Sequence, residues 1–159
     1  MKDEIVSGEY ILPSSPSHFI GLVPQNIDGL IVALGPGSFT GIRIGLSVAK
    51  GFSECLNIPI TGIHTLVAMA SQLPYLNEYI CPLVTSRKGE VFTAIFKWSA
   101  RGDLLRCKED TCLKINDLST IIENKTIFIG NDFSAQGPIL KQQFEENQIL
   151  APANLLTNT

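Results

Sequence analysis

The run Leu30-Ile31-Val32-Ala33-Leu34 reads as a buried strand, and it breaks into Gly35-Pro36-Gly37-Ser38-Phe39-Thr40-Gly41 before a helical pattern extends to Leu56. A strand that feeds a glycine-rich turn opening a helix is a common place to hold phosphate. The residues here do not fit the known loops. Counting a Walker-type loop from Gly35 puts Thr40 where the second glycine belongs and Gly41 where the lysine belongs. Thr40 also replaces the third glycine of a dinucleotide fingerprint, and only a looser pattern of Gly35, Gly37 and Gly41 survives. Pro36 removes one backbone N–H from the turn. A nucleophile elbow around Ser38 fails because Pro36 stands where its first glycine should be and Phe39 follows the serine. Ser38 or Thr40 is better read as a helix N-cap whose hydroxyl accepts from a first-turn N–H.

The helix itself is unusual. Gly41, Gly45 and Ala49 recur every four residues along one ridge, beside an apolar stripe of Ile42, Leu46, Ala49, Phe52 and Leu56. A glycine inside a helix costs about 1 kcal/mol relative to alanine. Two of them in the first turns therefore need a reason, and small residues at this spacing let another backbone approach closely. That backbone belongs either to the same domain or to another protein, and the sequence alone leaves both open.

Composition narrows the class. The chain has 159 residues, 45% hydrophobic and 17% charged, which argues for a folded globular protein of one domain or two small ones. A formal net charge of −3 provides no broad basic footprint for strong direct nucleic-acid binding. No apolar run reaches the length of about 20 residues needed for a membrane span, and the polar start lacks a secretory core. Cytoplasmic residence follows as the expectation. Cys55, Cys81, Cys107 and Cys112 form no CxxC pair, so free thiols are expected. Cys107 and Cys112 are five residues apart and would face opposite sides of a regular strand.

Along the chain, strands are expected at Val6–Leu12, Leu30–Leu34 and Ile58–Ile63, with helices at Thr40–Leu56 and His64–Leu73. Pro74 then marks a boundary. Strands follow at Tyr79–Val84, Glu90–Trp98 and Asp103–Leu113, the second with Phe92, Ala94, Phe96 and Trp98 on a core face. A helix Asn116–Glu123 capped by Asn116, a strand Thr126–Ile129 and a helix Asp132–Phe144 complete the pattern. The order predicts an α/β protein of two related lobes, residues 1–74 and 75–159.

Catalytic groups are sparse. His18 and His64 have no metal-ligand spacing, and no carboxylate pair stands out. Arg87, Lys88 and Glu90 form a charged hairpin turn. No catalytic, metal or cofactor-binding residue is assigned.

The run Gly35 to Gly45 with Ala49-Lys50-Gly51, then Ile58 to Leu66, then Ser86-Arg87-Lys88-Gly89-Glu90-Val91-Phe92, resembles the bacterial TsaB (YeaZ) family, which is glycoprotease-like (peptidase M22-like). The resemblance covers most of the chain from about Gly8 onward. It implies an actin/Hsp70-like (ASKHA) fold with two RNase H-like lobes. It also implies a noncatalytic subunit that partners the catalytic protein TsaD and the ATPase TsaE in making N6-threonylcarbamoyladenosine in tRNAs that read codons beginning with A. Homodimers are a further association of the family. No cofactor is expected on this chain alone, with ATP or ADP left open at the interface of the complex. The implied partner-binding residues are Phe39, Gly41, Ile42, Gly45, Leu46 and Ala49 on the helix after the turn.

The chain departs from the family pattern in four places. Both lobes read as incomplete: the opening Asp-Thr-Ser strand and hairpin are missing, and the chain stops at Thr159 before the usual terminal helix. The first helix, about Ser17 to Gln25, reads as short, and Thr85 stands where the family often has Asp. The rival reading from another class is an ATP-binding or acyltransferase-type enzyme that uses the Gly35–Gly41 turn. A metal-dependent peptidase is a weaker third.

Overall fold

A computed structural model describes residues 5–6, 27–73 and 76–144. The rest of the expected first strand beyond Val6, the expected Ser17–Gln25 helix and His18 lie outside the described residues. The chain divides into two compact units, Met1–Thr65 and Leu66–Thr159.

In the first unit, β1 (Ile5–Val6), β2 (Leu30–Gly35) and β3 (Ile60–His64) form a sheet in that order, with both pairings parallel. The helix α1 (Phe39–Leu56) connects β2 to β3, as a parallel pairing demands, because the chain must return to the same end of the sheet. The apolar residues of β2 alternate, so Leu30 and Val32 are buried together with Ala49 of α1. Leu46, Ile58 and Ile60 pack around them. Asn57 ends α1 in the left-handed region (φ 53°, ψ 47°), a conformation asparagine tolerates. The Ser53 hydroxyl donates to the Ile58 carbonyl at 2.6 Å and fixes the exit toward β3. Leu34 of β2 lies so close over Gly62 of β3 that a Cβ on Gly62 would stand 2.6 Å from Leu34 Cδ1.

The second unit opens with α2 (Thr65–Ala70). Its sheet has the order β6-β5-β4-β7, built from β4 (Tyr79–Thr85), β5 (Glu90–Trp98), β6 (Leu104–Lys114) and β7 (Thr126–Gly130). β4–β5 and β5–β6 are antiparallel, and β4–β7 is parallel. A 3₁₀ helix, Ile115–Thr120, precedes β7, and α3 (Phe133–Gln143) follows it. Successive side chains of a strand point to opposite faces, and here both faces are covered. On one, Leu66 and Ala70 of α2 pack with Ile80, Val84, Ala94, Phe96 and Ile129. On the other, Ile115, Leu118 and Leu140 pack with Cys81, Leu83, Val91 and Phe128.

The aromatic face expected on β5 is present: Ala94 and Phe96 are buried, and Phe92 and Trp98 pack against them. The opposite face is buried too, down to Thr93, whose hydroxyl pairs with the Cys81 thiol at 3.0 Å. The division between units falls at Thr65/Leu66 rather than at residue 74, because the apolar side of α2 packs with the second sheet. Trp98 Nε1 also donates to the Leu73 carbonyl at 2.6 Å, which ties the turn after α2 to β5. The expected helix from Asn116 is a shorter 3₁₀ helix. Lys114 holds its N-cap position without a side-chain bond, so Asn116 is not the cap. In α3, Asp132 caps by accepting from Ala135 N, and the helix runs through Pro138. Register shifts on β5–β6 at Thr93/Ile95 and Ile95/Phe96 break strict alternation, so Cys107 and Cys112 are both exposed despite their odd spacing.

Candidate partner-binding helix

The Gly35–Gly41 turn is built around one isoleucine. Gly35 has φ +99°, a region that side chains with a Cβ avoid. A Cβ added to it would stand 3.0 Å from Ile42 Cδ1, and one added to Gly37 would stand 3.7 Å from the same atom. The glycines thus admit Ile42 into the turn. Ser38 is the N-cap: its Oγ accepts from Gly41 N at 3.2 Å, and its carbonyl accepts from Ile42 N at 2.9 Å. The capping role read from the sequence falls on Ser38, with Thr40 already inside the helix.

From this anchored start, α1 turns two different faces outward and inward. Of the partner-binding residues expected from sequence, Gly45 and Ala49 are buried within the chain, and Ala49 packs with Leu30 and Val32. Gly41, Ile42 and Leu46 are half-buried. Phe39 alone of the six is open, at 72% exposure, with the Arg43 guanidinium 4.6 Å from its ring centroid. The small-residue ridge therefore faces inward. Ala49 makes its close approach to Leu30 and Val32 of β2.

The outward apolar row is a different one. Ile44 is 53% exposed and Phe52 41% exposed, and Val48 lies between them at helical spacing. Phe52, which the sequence pattern groups with Ile42, Leu46, Ala49 and Leu56, lies on this exposed row with Ile44. The signal was present as apolar residues at i, i+4 and i+8, but the glycine ridge beside it was the stronger pattern. Leu34 is a further exposed apolar residue of this unit, at 47%.

Elsewhere the chemistry is plain. His64 is exposed at the end of β3. Among the described residues, no group of three or more His, Cys, Asp or Glu side chains is placed to hold a metal ion. Arg87 and Lys88 sit exposed in the β4–β5 turn, which Glu90 N closes onto the Arg87 carbonyl at 2.9 Å with Gly89 at φ +78°. The four cysteines are free, and burial pushes the Cys81 thiol up to about 12. No helix among the described residues is long and apolar enough to cross a membrane.

Residues 18–147 match the family model described as TsaD, tRNA N6-adenosine threonylcarbamoyltransferase. The chain is 27% identical over 162 residues to the tRNA threonylcarbamoyladenosine biosynthesis protein TsaB of Bacillus subtilis, covering 92% of this chain and 69% of that protein. It is 33% identical to the TsaB of Buchnera aphidicola, over 80% of this chain and 63% of that one.

The chain belongs to the TsaD-like family, in its TsaB (YeaZ) group.

The YeaZ crystal structure from Pseudomonas aeruginosa superposes with a TM-score of 0.56 at 19% identity, covering 73% of this chain and 57% of that one. A second structure, described as similar to peptidase YeaZ from the same organism, gives a TM-score of 0.58 over 56% of its length. The fold is thus of the actin/Hsp70-like (ASKHA) class to which TsaB proteins belong. The chain spans 69% and 63% of the two curated TsaB relatives above.

Proposed function

We propose that this chain is a noncatalytic subunit in tRNA threonylcarbamoyladenosine biosynthesis, acting in the cytoplasm as the partner of TsaD and, through that complex, of TsaE. The observation that carries the reading is the outward row of α1. A helix capped at Ser38 and seated through Ala49 presents Ile44 and Phe52 to solvent at 53% and 41% exposure. Exposed apolar residues set in a row on a firmly packed helix are what a docking helix needs. The names of the TsaB relatives supply the process.

In this reading the contact set is Ile44, Val48 and Phe52, with Phe39 at the helix start. Gly45, Ala49 and Leu46 act from inside by holding the helix against its sheet. The same row would also serve a homodimer in the absence of TsaD. Any nucleotide site of the complex lies, in this reading, at the interface with TsaD rather than on this chain alone.

Reconstitution tests the function. TsaD and TsaE of the same organism are supplied with tRNA and a threonylcarbamoyl donor, with and without this chain. Modified adenosine is expected only when the chain is added, and none from the chain by itself. Full modification without the chain, or modification by the chain alone, would overturn the proposal.

A further inference from the structure

The helix α1 carries a glycine that its own chain does not require. Gly51 lies within the helix, outside the positive-φ region that Gly35, Gly89 and Gly102 occupy. It is exposed, and a Cβ built on it meets nothing within 4 Å. Neither backbone conformation nor internal packing therefore calls for glycine at this position. Apart from proline, glycine is the poorest helix former, so the helix bears a cost with no return inside the chain. Gly35 is the contrast, since its φ of +99° and the nearby Ile42 account for it within the turn.

The place of Gly51 on the helix gives the cost a use. Two turns of α-helix are close to seven residues, so Gly51 follows Ile44 along nearly one line of the outward face. Its missing side chain leaves a gap in the helix surface, bounded by Ser47, Val48, Glu54 and Cys55 three and four residues away. On one side the gap adjoins the apolar row of Ile44, Val48 and Phe52. On the other side Arg43, Ser47, Lys50 and Glu54 are all exposed and polar. An apolar strip with a polar rim and a gap in its middle is the anatomy of a contact that receives an anchoring side chain.

We propose that Gly51 is where the partner docked on α1 comes closest: a large apolar side chain of TsaD seats in the gap, against Val48 and Phe52. The proposal rests on the docking reading of α1 and adds a specificity-determining residue to it. Any side chain at position 51 would occupy the space that the partner's residue takes. The helix propensity lost at Gly51 is then offset in the complex, where the gap is filled.

A size series at position 51 tests this, because stability and binding move in opposite directions. Gly51→Ala and Gly51→Leu are made in the full chain, and each is assayed by thermal denaturation and by its dissociation constant for TsaD of the same organism, beside Ile44→Asp. Both position-51 variants should melt above the wild type, by about 4–8 °C. Both should bind TsaD more weakly, Gly51→Ala by several-fold and Gly51→Leu by roughly 30-fold or more, the scale of overpacking a close contact. Wild-type affinity in Gly51→Leu, with binding lost in Ile44→Asp, would overturn this proposal and leave the docking reading of the row standing. No binding by the wild type, or equal binding by all four proteins, would overturn both. A Gly51→Ala chain that melts below the wild type would show that the fold itself needs the glycine, and would also overturn the proposal. So would a self-association of the chain that Gly51→Leu abolishes in sedimentation while TsaD affinity is unchanged.

Discussion

Gly45→Leu separates the inward and outward readings of α1. Gly45 is buried, on the side of the helix that carries Ala49 into the cluster with Leu30 and Val32. Two effects oppose each other. Leucine has the higher helix propensity, which contributes about 1 kcal/mol. Forcing a four-carbon side chain into a packed interior costs about 1–3 kcal/mol, more where backbone must move. At a buried position the cost outweighs the gain, leaving a net loss of up to about 2 kcal/mol. Gly51 on the same helix is the internal control: it is exposed, and a Cβ added there meets nothing within 4 Å. Gly51→Ala keeps the propensity gain without the clash and should stabilise by about 1 kcal/mol. In a unit of this size 1 kcal/mol moves the melting temperature by about 4–8 °C. Thermal denaturation followed by circular dichroism should therefore show Gly45→Leu melting below the wild type and Gly51→Ala above it. A Gly45→Leu protein that melts at or above the wild type would refute the inward assignment of the ridge.

Other perturbations probe the rest of the account. Phe128→Ala removes a fully buried ring whose centroid lies 4.9 Å from that of the tilted Phe144 ring and should cost about 3–5 kcal/mol in chemical denaturation; a loss below about 1 kcal/mol would mean this core is not closed as described. Gly35→Ala places a Cβ at φ +99° and against Ile42, and should destabilise by about 1–2 kcal/mol in the same assay. Native protein at pH 8 should expose Cys55, Cys107 and Cys112 to a thiol reagent and withhold Cys81 until it unfolds; rapid native reaction of Cys81 would contradict its burial. The Cys81 thiol is raised from 9.0 to about 12 in the fold, chiefly by desolvation, so the unfolded chain loses that proton first. Its contribution is whole below pH 9 and declines as pH rises toward 12, and Cys81→Ala should flatten this alkaline loss of stability. Calorimetry of the isolated chain with ATP and magnesium should show no binding heat, and clear saturable binding would favour the rival enzyme at the Gly35–Gly41 turn.

Much of this was legible from residue pattern. The β2–α1 junction, the serine cap and the strands β4, β5 and β7 follow from local chemistry: alternation, glycine turns and a hydroxyl before an apolar run. The inward face of α1 was legible only in part. A small-residue ridge says that something comes close and does not say what. That is decided by β2, whose Leu30 and Val32 lie near Ala49 through tertiary packing. The same limit hid the second buried face of β5. Thr93 reads as a solvent-facing polar residue until the Cys81 thiol provides its partner. Nor could alternation foresee the exposure of both Cys107 and Cys112, because the register shifts on β6 arise from pairing with β5.

The central claim is that the outward row of α1 docks on TsaD. Its most direct measurement is the dissociation constant of the full chain for TsaD of the same organism, for wild type and for Ile44→Asp. Ile44 is 53% exposed, so the substitution should leave the melting temperature nearly unchanged. A charge buried in an apolar contact should weaken binding by roughly 30-fold or more, the equivalent of about 2 kcal/mol. Wild-type binding with that loss in a stably folded Ile44→Asp chain is the predicted result. No binding by the wild type, or equal binding by the two proteins, would contradict it.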